Sequence, residues 1–268
     1  MIIKKSRAEV ERMARAGAVV ARAHEELIER LKPGMSTLDL DRIAEDVIVR
    51  SGAVPSFKGY RGFPATLCTS PNDQIVHGIP SPDAVLEEGD LISIDCGAIV
   101  EGFHGDSATT LVVGGDAAAS PEALRLVRQT RNAMWQGLAQ ARHGNRLGDV
   151  GAAIEAVAEV DGYGVVREYV GHGIGRALHE DPSVPNYGRA GKGLKMTKGW
   201  VIAIEPMFNL GSEGTRTLDD EWTVVTADGA LSAHWEHTVA ITEDGPWVLT
   251  ARSDEPHHLG EGVEVPHY

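Results

Sequence analysis

Four carboxylates sit in apolar stretches that hold no lysine or arginine to neutralise them. In LISIDCGAIVEGFHGDSA, residues 91–108, Asp95 lies inside a strand pattern and Asp106 follows a glycine-containing turn. Strand alternation puts Leu91, Ser93 and Asp95 on one face and Ile92, Ile94 and Cys96 on the other. With Glu101 and Gly102 as the turn, Val100 opposes Phe103, and Asp95 and Asp106 become diagonal neighbours on one face. Two like charges on a half-buried face repel, and desolvating either one is costly. For this hairpin alone, a turn cap or a solvated face explains the pair equally well. Two further segments shift the balance. GWVIAIEP puts Glu205 in an apolar strand in register with Val201 and Ala203, and SAHWEHTVAIT puts Glu236 in another, beside Thr238 and Ala240. One or two divalent cations are the economical compensator.

A nitrogen ligand is expected from YVGHGIGRALHEDP, where His172 stands between glycines and His179 follows in the same segment. The glycines point to a tight backbone path that presents the imidazole. A histidine by itself is more often a core or surface residue. Beside four carboxylates it completes an oxygen-rich, fairly hard site that suits Mn, Fe, Co or Zn in pairs. Four negative charges also match two divalent ions.

These side chains need a frame. Ser6 and Glu9 form a capping-box pattern, and helical periodicity then runs to about Leu31, where Lys32, Pro33 and Gly34 stop it. A second helix spans about Thr37 to Ser51 and closes at Gly52. Strands and turns fill residues 54–113. Ser120 and Pro121 open a long helix through roughly Arg142, and another covers about Leu147 to Val160 before strands return. Helix, helix, strands therefore occurs twice. A shift of 110 residues sets Gly34 on Gly144, Leu40 on Val150, Ile43 on Ala153, Val47 on Val157 and Gly52 on Gly162. The expectation is an α+β fold of two duplicated, pseudo-two-fold halves, about residues 5–115 and 120–250, within a single domain of residues 1–252. A site is expected where the two sheets meet. Residues 253–268, polar and without apolar period, read as a flexible surface tail.

Composition narrows the class. The chain has 268 residues, 42% hydrophobic and 24% charged, which suits a globular protein with a sizeable core. A net charge of −14 and no basic patch argue against nucleic-acid or anionic-membrane partners. Cys68 and Cys96 are not in a zinc spacing, and a reducing compartment fits them better than a disulfide. The N-terminal MIIKKSRAEV lacks the apolar stretch of a secretory signal, and no segment reaches the roughly 18 apolar residues of a membrane span. A cytoplasmic location is expected.

The segments SIDCGA and HGDSATT, GHGIGRALHEDP, AIEPM and SAHWEHT resemble the signature segments of type I methionine aminopeptidases, in order and spacing, from about residue 5 to 252. The chain is most similar to the short bacterial form. The resemblance implies the pita-bread fold, with a central antiparallel sheet. It also implies that Asp95, Asp106, His172, Glu205 and Glu236 ligate two metal ions, drawn from Co, Mn, Fe or Zn. By the same resemblance His77 lies by the substrate amide nitrogen and His179 by the scissile carbonyl. A methionine pocket would be lined by Tyr60, Phe63, Cys68, Leu178 and Trp222. A metal-bridged hydroxide would attack the carbonyl of an N-terminal methionine, with Glu205 as ligand and proton shuttle. Expected substrates are N-terminal methionine peptides and nascent chains whose second residue is small. Transient ribosome association, a monomeric state and a monovalent cation near Asn72 belong to the same set of expectations. His104, inside FHGDS, is not a family ligand and is read as structural. Leu178 and Arg61 depart from the residues frequent in the family, which touches pocket shape and rim charge only.

Three other readings compete with this one. A proline-specific aminopeptidase of the same fold usually carries a sizeable domain before the first motif, whereas only 76 residues precede His77 here. A catalytically inactive pita-bread binding protein loses ligands, and all five are present. A mononuclear structural site would have no use for the pair His77 and His179.

Overall fold

The computed structural model of the protein describes residues 1–260 and 266. Helix α1 (Arg7–Arg30) starts at a reciprocal capping box: the Ser6 hydroxyl accepts from Glu9 N–H, and the Glu9 carboxylate accepts from Ser6 N–H. Helix α2 (Thr37–Arg50) repeats the device with Ser36 and Asp39. There follow β1 (Val54–Pro55), β2 (Leu67–Pro71), β3 (Gln74–Val76) and the long hairpin of β4 (Leu91–Val100) and β5 (Phe103–Val112). The second half opens with α3 (Pro121–Gln140), which ends two residues short of the expected Arg142, and α4 (Leu147–Asp161). Strands β6 (Gly164–Val165), β7 (Gly171–Gly173), β8 (Glu180–Val184), β9 (Val201–Ile204) and β10 (Met207–Asn209) come next. The chain continues through β11 (Thr215–Thr217), β12 (Val224–Thr226), β13 (Ser232–His234), β14 (His237–Thr242) and β15 (Gly245–Val248). No described helix is long and apolar enough to cross a membrane.

Each half packs its two helices against the outer face of its own strands. Val19, Val20, Ala23 and Leu27 of α1, with Leu40, Ala44 and Ile48 of α2, bury Ile92, Ile94, Cys96 and Ala98 of β4. In the second half α3 and α4 bury Ile202, Ile204, Phe208, Val239 and Ile241 in the same way. Period-two alternation then turns Asp95, on the other face of β4, away from the helices and toward the opposite half.

The duplication holds at the level of register. Val54 pairs with Ile99 in the first half, and Gly164 pairs with Asn209 in the second, each position displaced by the same 110 residues. The isolated bridges Ser36 to Val85 and Arg146 to Lys195 obey the same offset. So do Gly52 and Gly162, which leave their helices with φ of 72° and 71°, a left-handed turn that glycine makes without strain. The halves join where β5 meets the segment before β14: Ala108 and Glu236 exchange both backbone hydrogen bonds, and Thr238 Oγ1 accepts from Asp106 N–H and donates to Asp106 O.

Two expectations are corrected. Glu205 and Glu236 do not lie inside strands. Pro206 has no N–H to offer a ladder and restricts the residue before it, so β9 ends at Ile204 and β10 resumes at Met207. The partner chain breaks at the same level, since Ile204 pairs with His237 and Met207 with His234, leaving Trp235 and Glu236 between β13 and β14. The second correction concerns the tail. Residues 253–260 are not a loose extension: Glu255 and Leu259 are buried, and His258 bridges to Trp247. Residues 261–265, 267 and 268 of that expected tail lie outside the described residues.

Candidate active site

The hairpin β4–β5 carries Asp95 opposite Ala108 and Asp106 opposite Gly97, the diagonal arrangement expected from sequence. Across the junction, the paired breaks present Glu205 and Glu236 to the same space. His172 arrives on β7, threaded between two glycines for a steric reason. A Cβ at Gly171 would stand 2.3 Å from Ala203 O, and one at Gly173 would stand 2.0 Å from Asp181 O. Only a chain without side chains at both positions can pass so close to β9 and β8.

The His172 ring is oriented from behind. Its Nδ1 donates to Gly173 O at 2.9 Å, which leaves the Nε2 lone pair facing the carboxylates, 3.9 Å from Asp106 Oδ2 and 3.5 Å from Glu205 Oε1. Ligand atoms of Asp106, His172 and Glu236 all lie within 4.8 Å of one another. Asp95 Oδ1, Asp106 Oδ1 and Glu236 Oε1 are buried and make no hydrogen bond among the described residues. Buried carboxylate oxygens left in this state are strongly unfavourable, and a divalent cation is the partner that the donor set fits.

The electrostatics are consistent with that fit. Burial raises Asp106 to about 7. Burial, reinforced by the neighbouring carboxylates, pushes Asp95, Glu205 and Glu236 well above the usual carboxylate range. Burial also lowers His172 to about 3 and His77 to about 4, so both imidazoles are neutral at pH 7 and available as ligand or acceptor. His179 is lowered by burial and by the nearby Arg61 charge.

A cavity of about 670 Å³ opens over the carboxylates. Its walls include every residue singled out for substrate from the sequence: Tyr60, Phe63, Cys68, His77, Leu178, His179 and Trp222. Phe63 and Trp222 meet edge to face at 5.1 Å between ring centroids. His77 stands edge-on to Tyr169 and Trp222, with a left-handed φ of 61° that is unusual for a side chain of its kind. His179 lies 4.3 Å from the His172 ring, and its Nδ1 is 2.9 Å from the Tyr60 hydroxyl. Cys68 pairs directly across from Asp95, and burial keeps its thiol neutral. His104 has its Nδ1 2.9 Å from Ser56 Oγ. Asn72 is engaged by Asp90, Leu91 and Ser232 at the edge of β4.

One close residue was not anticipated. His234 is buried with its Nε2 3.7 Å from Glu205 Oε2, so Glu205 sits between two imidazoles. The signal was present in SAHWEHT, two positions before Glu236 and on the same alternation. Arg61, singled out from the sequence for rim charge, lines the cavity; Asp181, which lines it too, carried no sequence signal that separates it from ordinary surface charge.

Comparison with known proteins bears on this geometry. The chain matches the profile of metallopeptidase family M24 over residues 11–243. It is 52% identical over 250 residues to a methionine aminopeptidase of Clostridium acetobutylicum, an alignment that covers 93% of this chain and 99% of that relative. The crystal structure of methionine aminopeptidase from Thermotoga maritima superposes with a TM-score of 0.91 at 41% identity, covering 94% of this chain and 100% of that one. The prolidase from Pyrococcus furiosus, at a TM-score of 0.74 and 23% identity, covers 94% of this chain and 66% of its own; that likeness concerns the fold alone.

Proposed function

The chain belongs to metallopeptidase family M24, and from that premise we propose that it is a methionine aminopeptidase, a metal-dependent exopeptidase that removes N-terminal methionine when the second residue is small. The observation that carries the reading is the set of buried, unpartnered oxygens of Asp95, Asp106 and Glu236 gathered with the His172 imidazole beneath a substrate-sized cavity. Asp95, Asp106, His172, Glu205 and Glu236 would hold two divalent cations, with Co, Mn, Fe and Zn all suited to the donors. Bound there, the cations make a hydroxide nucleophile available at neutral pH and polarise the scissile carbonyl.

The remaining work falls to the chain's own side chains. The Tyr60 hydroxyl, 2.9 Å from His179 Nδ1, orients that ring, and His179 with its proton on Nε2 would donate to the carbonyl oxygen as charge develops on it. His77 holds the leaving amide nitrogen. Glu205, flanked by His172 and His234, takes and returns a proton. Phe63, Leu178 and Trp222 enclose the methionine side chain, and the neutral Cys68 thiol is a soft contact for its thioether. An internal peptide has no free α-amine to place among the carboxylates, which accounts for exopeptidase action. Nascent chains in the cytoplasm, met during transient ribosome association by a monomeric enzyme, are the substrates this reading implies. A monovalent cation beside Asn72 belongs to the same reading.

The test is release of methionine from Met-Ala-Ser peptides by the protein stripped with chelator and then reloaded with Mn, Fe, Co or Zn. Turnover is expected only after reloading. Full turnover by the metal-free protein would sink the assignment.

A further inference from the structure

The second histidine of SAHWEHT, His237, is given no role by the reaction, yet its surroundings are built in detail. Its ring is fully buried and stands edge-on to Trp135, with centroids 5.4 Å apart. Its Nε2 lies 3.2 Å from Glu255 Oε2, and its Nδ1 lies 2.9 Å from Thr250 Oγ1. Thr250 Oγ1 also accepts from Thr238 N–H, which fixes the hydroxyl beside the ring. The ring is thus held between the Glu255 carboxylate on one edge and the Thr250 hydroxyl on the other. Glu255 is in turn held by Arg252 and by Arg131 Nη2 at 2.9 Å.

This assembly grips three consecutive residues at the break between β13 and β14. The guanidinium carbons of Arg131 and Arg252 lie 4.9 Å and 5.5 Å from the centre of the Trp235 ring. His237 is fixed by Glu255 and Thr250. Glu236, between the two, exchanges backbone hydrogen bonds with Ala108. A second connection runs to the other half. The Ser107 hydroxyl donates to Glu236 O at 2.6 Å and lies 3.3 Å from His237 Nδ1, while His24 Nε2 donates to Ser107 O at 2.8 Å. Ser107 is the neighbour of Asp106, so one continuous network stands behind Asp106 and Glu236, one carboxylate from each half.

We propose that the C-terminal segment 252–259 is a positioning element of the metal centre: Glu255, through His237 and Ser107, sets the distance between the Asp106 and Glu236 carboxylates that two cations require. The proposal rests on the metal-centre reading above. It makes His237 and Glu255 positioning residues, which touch neither substrate nor metal. Outer partners of this kind typically change metal affinity or activity by about ten- to a hundredfold when removed.

Mn2+ binding to the metal-free protein, measured by titration calorimetry, tests it, with melting temperature followed in parallel. Glu255→Gln removes the charge, and Thr250→Val removes the hydroxyl that fixes the ring while keeping its shape, so a folding failure of the first leaves the second decisive. Both variants are expected to lose about tenfold in affinity at the weaker of two Mn2+ sites, with Thr250→Ser restoring it. A nitrogen–proton correlation spectrum of the wild type is expected to show His237 in a single fixed form, and Thr250→Val to change it. Variants that bind Mn2+ as the wild type does, below their melting temperatures, overturn the proposal and leave the activity standing. Wild-type protein that binds two Mn2+ yet releases no methionine overturns the activity and leaves the positioning role intact.

Discussion

The two halves deliver the same pair of carboxylates by different means. In the first, β4 and β5 form an uninterrupted hairpin of two ten-residue strands, and Asp95 and Asp106 project from within it. In the second, the equivalent strands are cut at Glu205-Pro206 and Trp235-Glu236, and the carboxylates stand in the gaps. Displacing Asp95 by 110 residues lands on Glu205, so the duplicated unit presents an acid at one matching position in both copies. A short side chain on a rigid ladder faces a longer one on a kinked backbone. On the proposed reading, the rigid half would fix where the cations sit, and the kinked half would have the freedom to adjust and to move protons. Only the second half also supplies the imidazole, the His179 loop and the segment that braces His237.

Removing a ligand from the rigid side is the most severe way to break that division. Asp106→Ala is expected to lower kcat/KM for Met-Ala-Ser by about a thousandfold or more, because the remaining donors cannot keep both cations in place. Metal analysis of the purified variant is expected to show fewer bound ions than the wild type. Full metal loading with near-normal turnover contradicts the assignment of Asp106. His172→Ala is expected to behave alike.

A gentler pair compares the halves directly. Asp95→Glu and Glu205→Asp each move a carboxylate by one methylene, and misplacement on that scale costs up to about a hundredfold. Asp95→Glu is expected to lose more, since its strand is pinned on both sides by β2 and β5. Glu205 is followed by a proline break and has only a 4-residue strand before it. Equal losses in parallel kcat assays argue against the rigid-versus-kinked distinction.

The same cluster makes the metal-free protein sensitive to pH. Asp106 is raised to about 7, and Asp95, Glu205 and Glu236 are raised as well, by burial first and then by one another. The folded chain thus keeps these protons to a higher pH than the unfolded chain, whose carboxylates titrate near about 4. Stability from this source is complete below that lower value and is lost as pH rises through 7. Burial also holds His172 and His77 neutral, and their contribution grows with pH over the same window. The carboxylate share is therefore read against a variant. Between pH 5 and pH 8 the melting temperature of chelated Asp106→Asn is expected to fall less, or rise more, than that of chelated wild type. Saturating Mn2+ is expected to stabilise the wild type most at pH 8, because the metal replaces the protons. Matching pH profiles for the two chelated proteins contradict the burial of the cluster.

Much of this was legible in the sequence, and the reasons are specific. The capping boxes at Ser6 and Ser36, the alternation in β4 and the offset between halves are local patterns that survive folding unchanged. Asp95 and Asp106 could be placed on one face because a two-residue turn fixes the register of a hairpin. Glu205 and Glu236 were found as residues but given the wrong backbone. Apolar neighbours look the same in a strand and at its end, and the effect of Pro206 reaches Trp235 only through pairing across the sheet. The C-terminal segment was misread for a related cause. Besides the neighbouring Arg252, Glu255 is buried against Arg131 of α3 and His237 of β14, and neither periodicity nor composition records such long-range contacts.

The smallest expected effect lies on the substrate side and separates the cavity wall from the carboxylate frame. Leu178 is buried among Phe63, Cys68 and Ile174, on the loop that ends in His179, and it touches the cavity without adding a charged or polar atom to it. Leu178→Val removes one methylene, about 0.8 kcal/mol of apolar contact, which corresponds to roughly a fourfold rise in KM for methionyl peptides. Because this contact is made equally in the bound substrate and in the transition state, kcat is expected to hold. Mn2+ affinity is also expected to hold, since Leu178 offers no atom to a metal. A fall in kcat or in metal affinity without a change in KM means that Leu178 supports the His179 loop itself, and the boundary between the kinked half's substrate wall and its ligand gaps has to be redrawn through that loop.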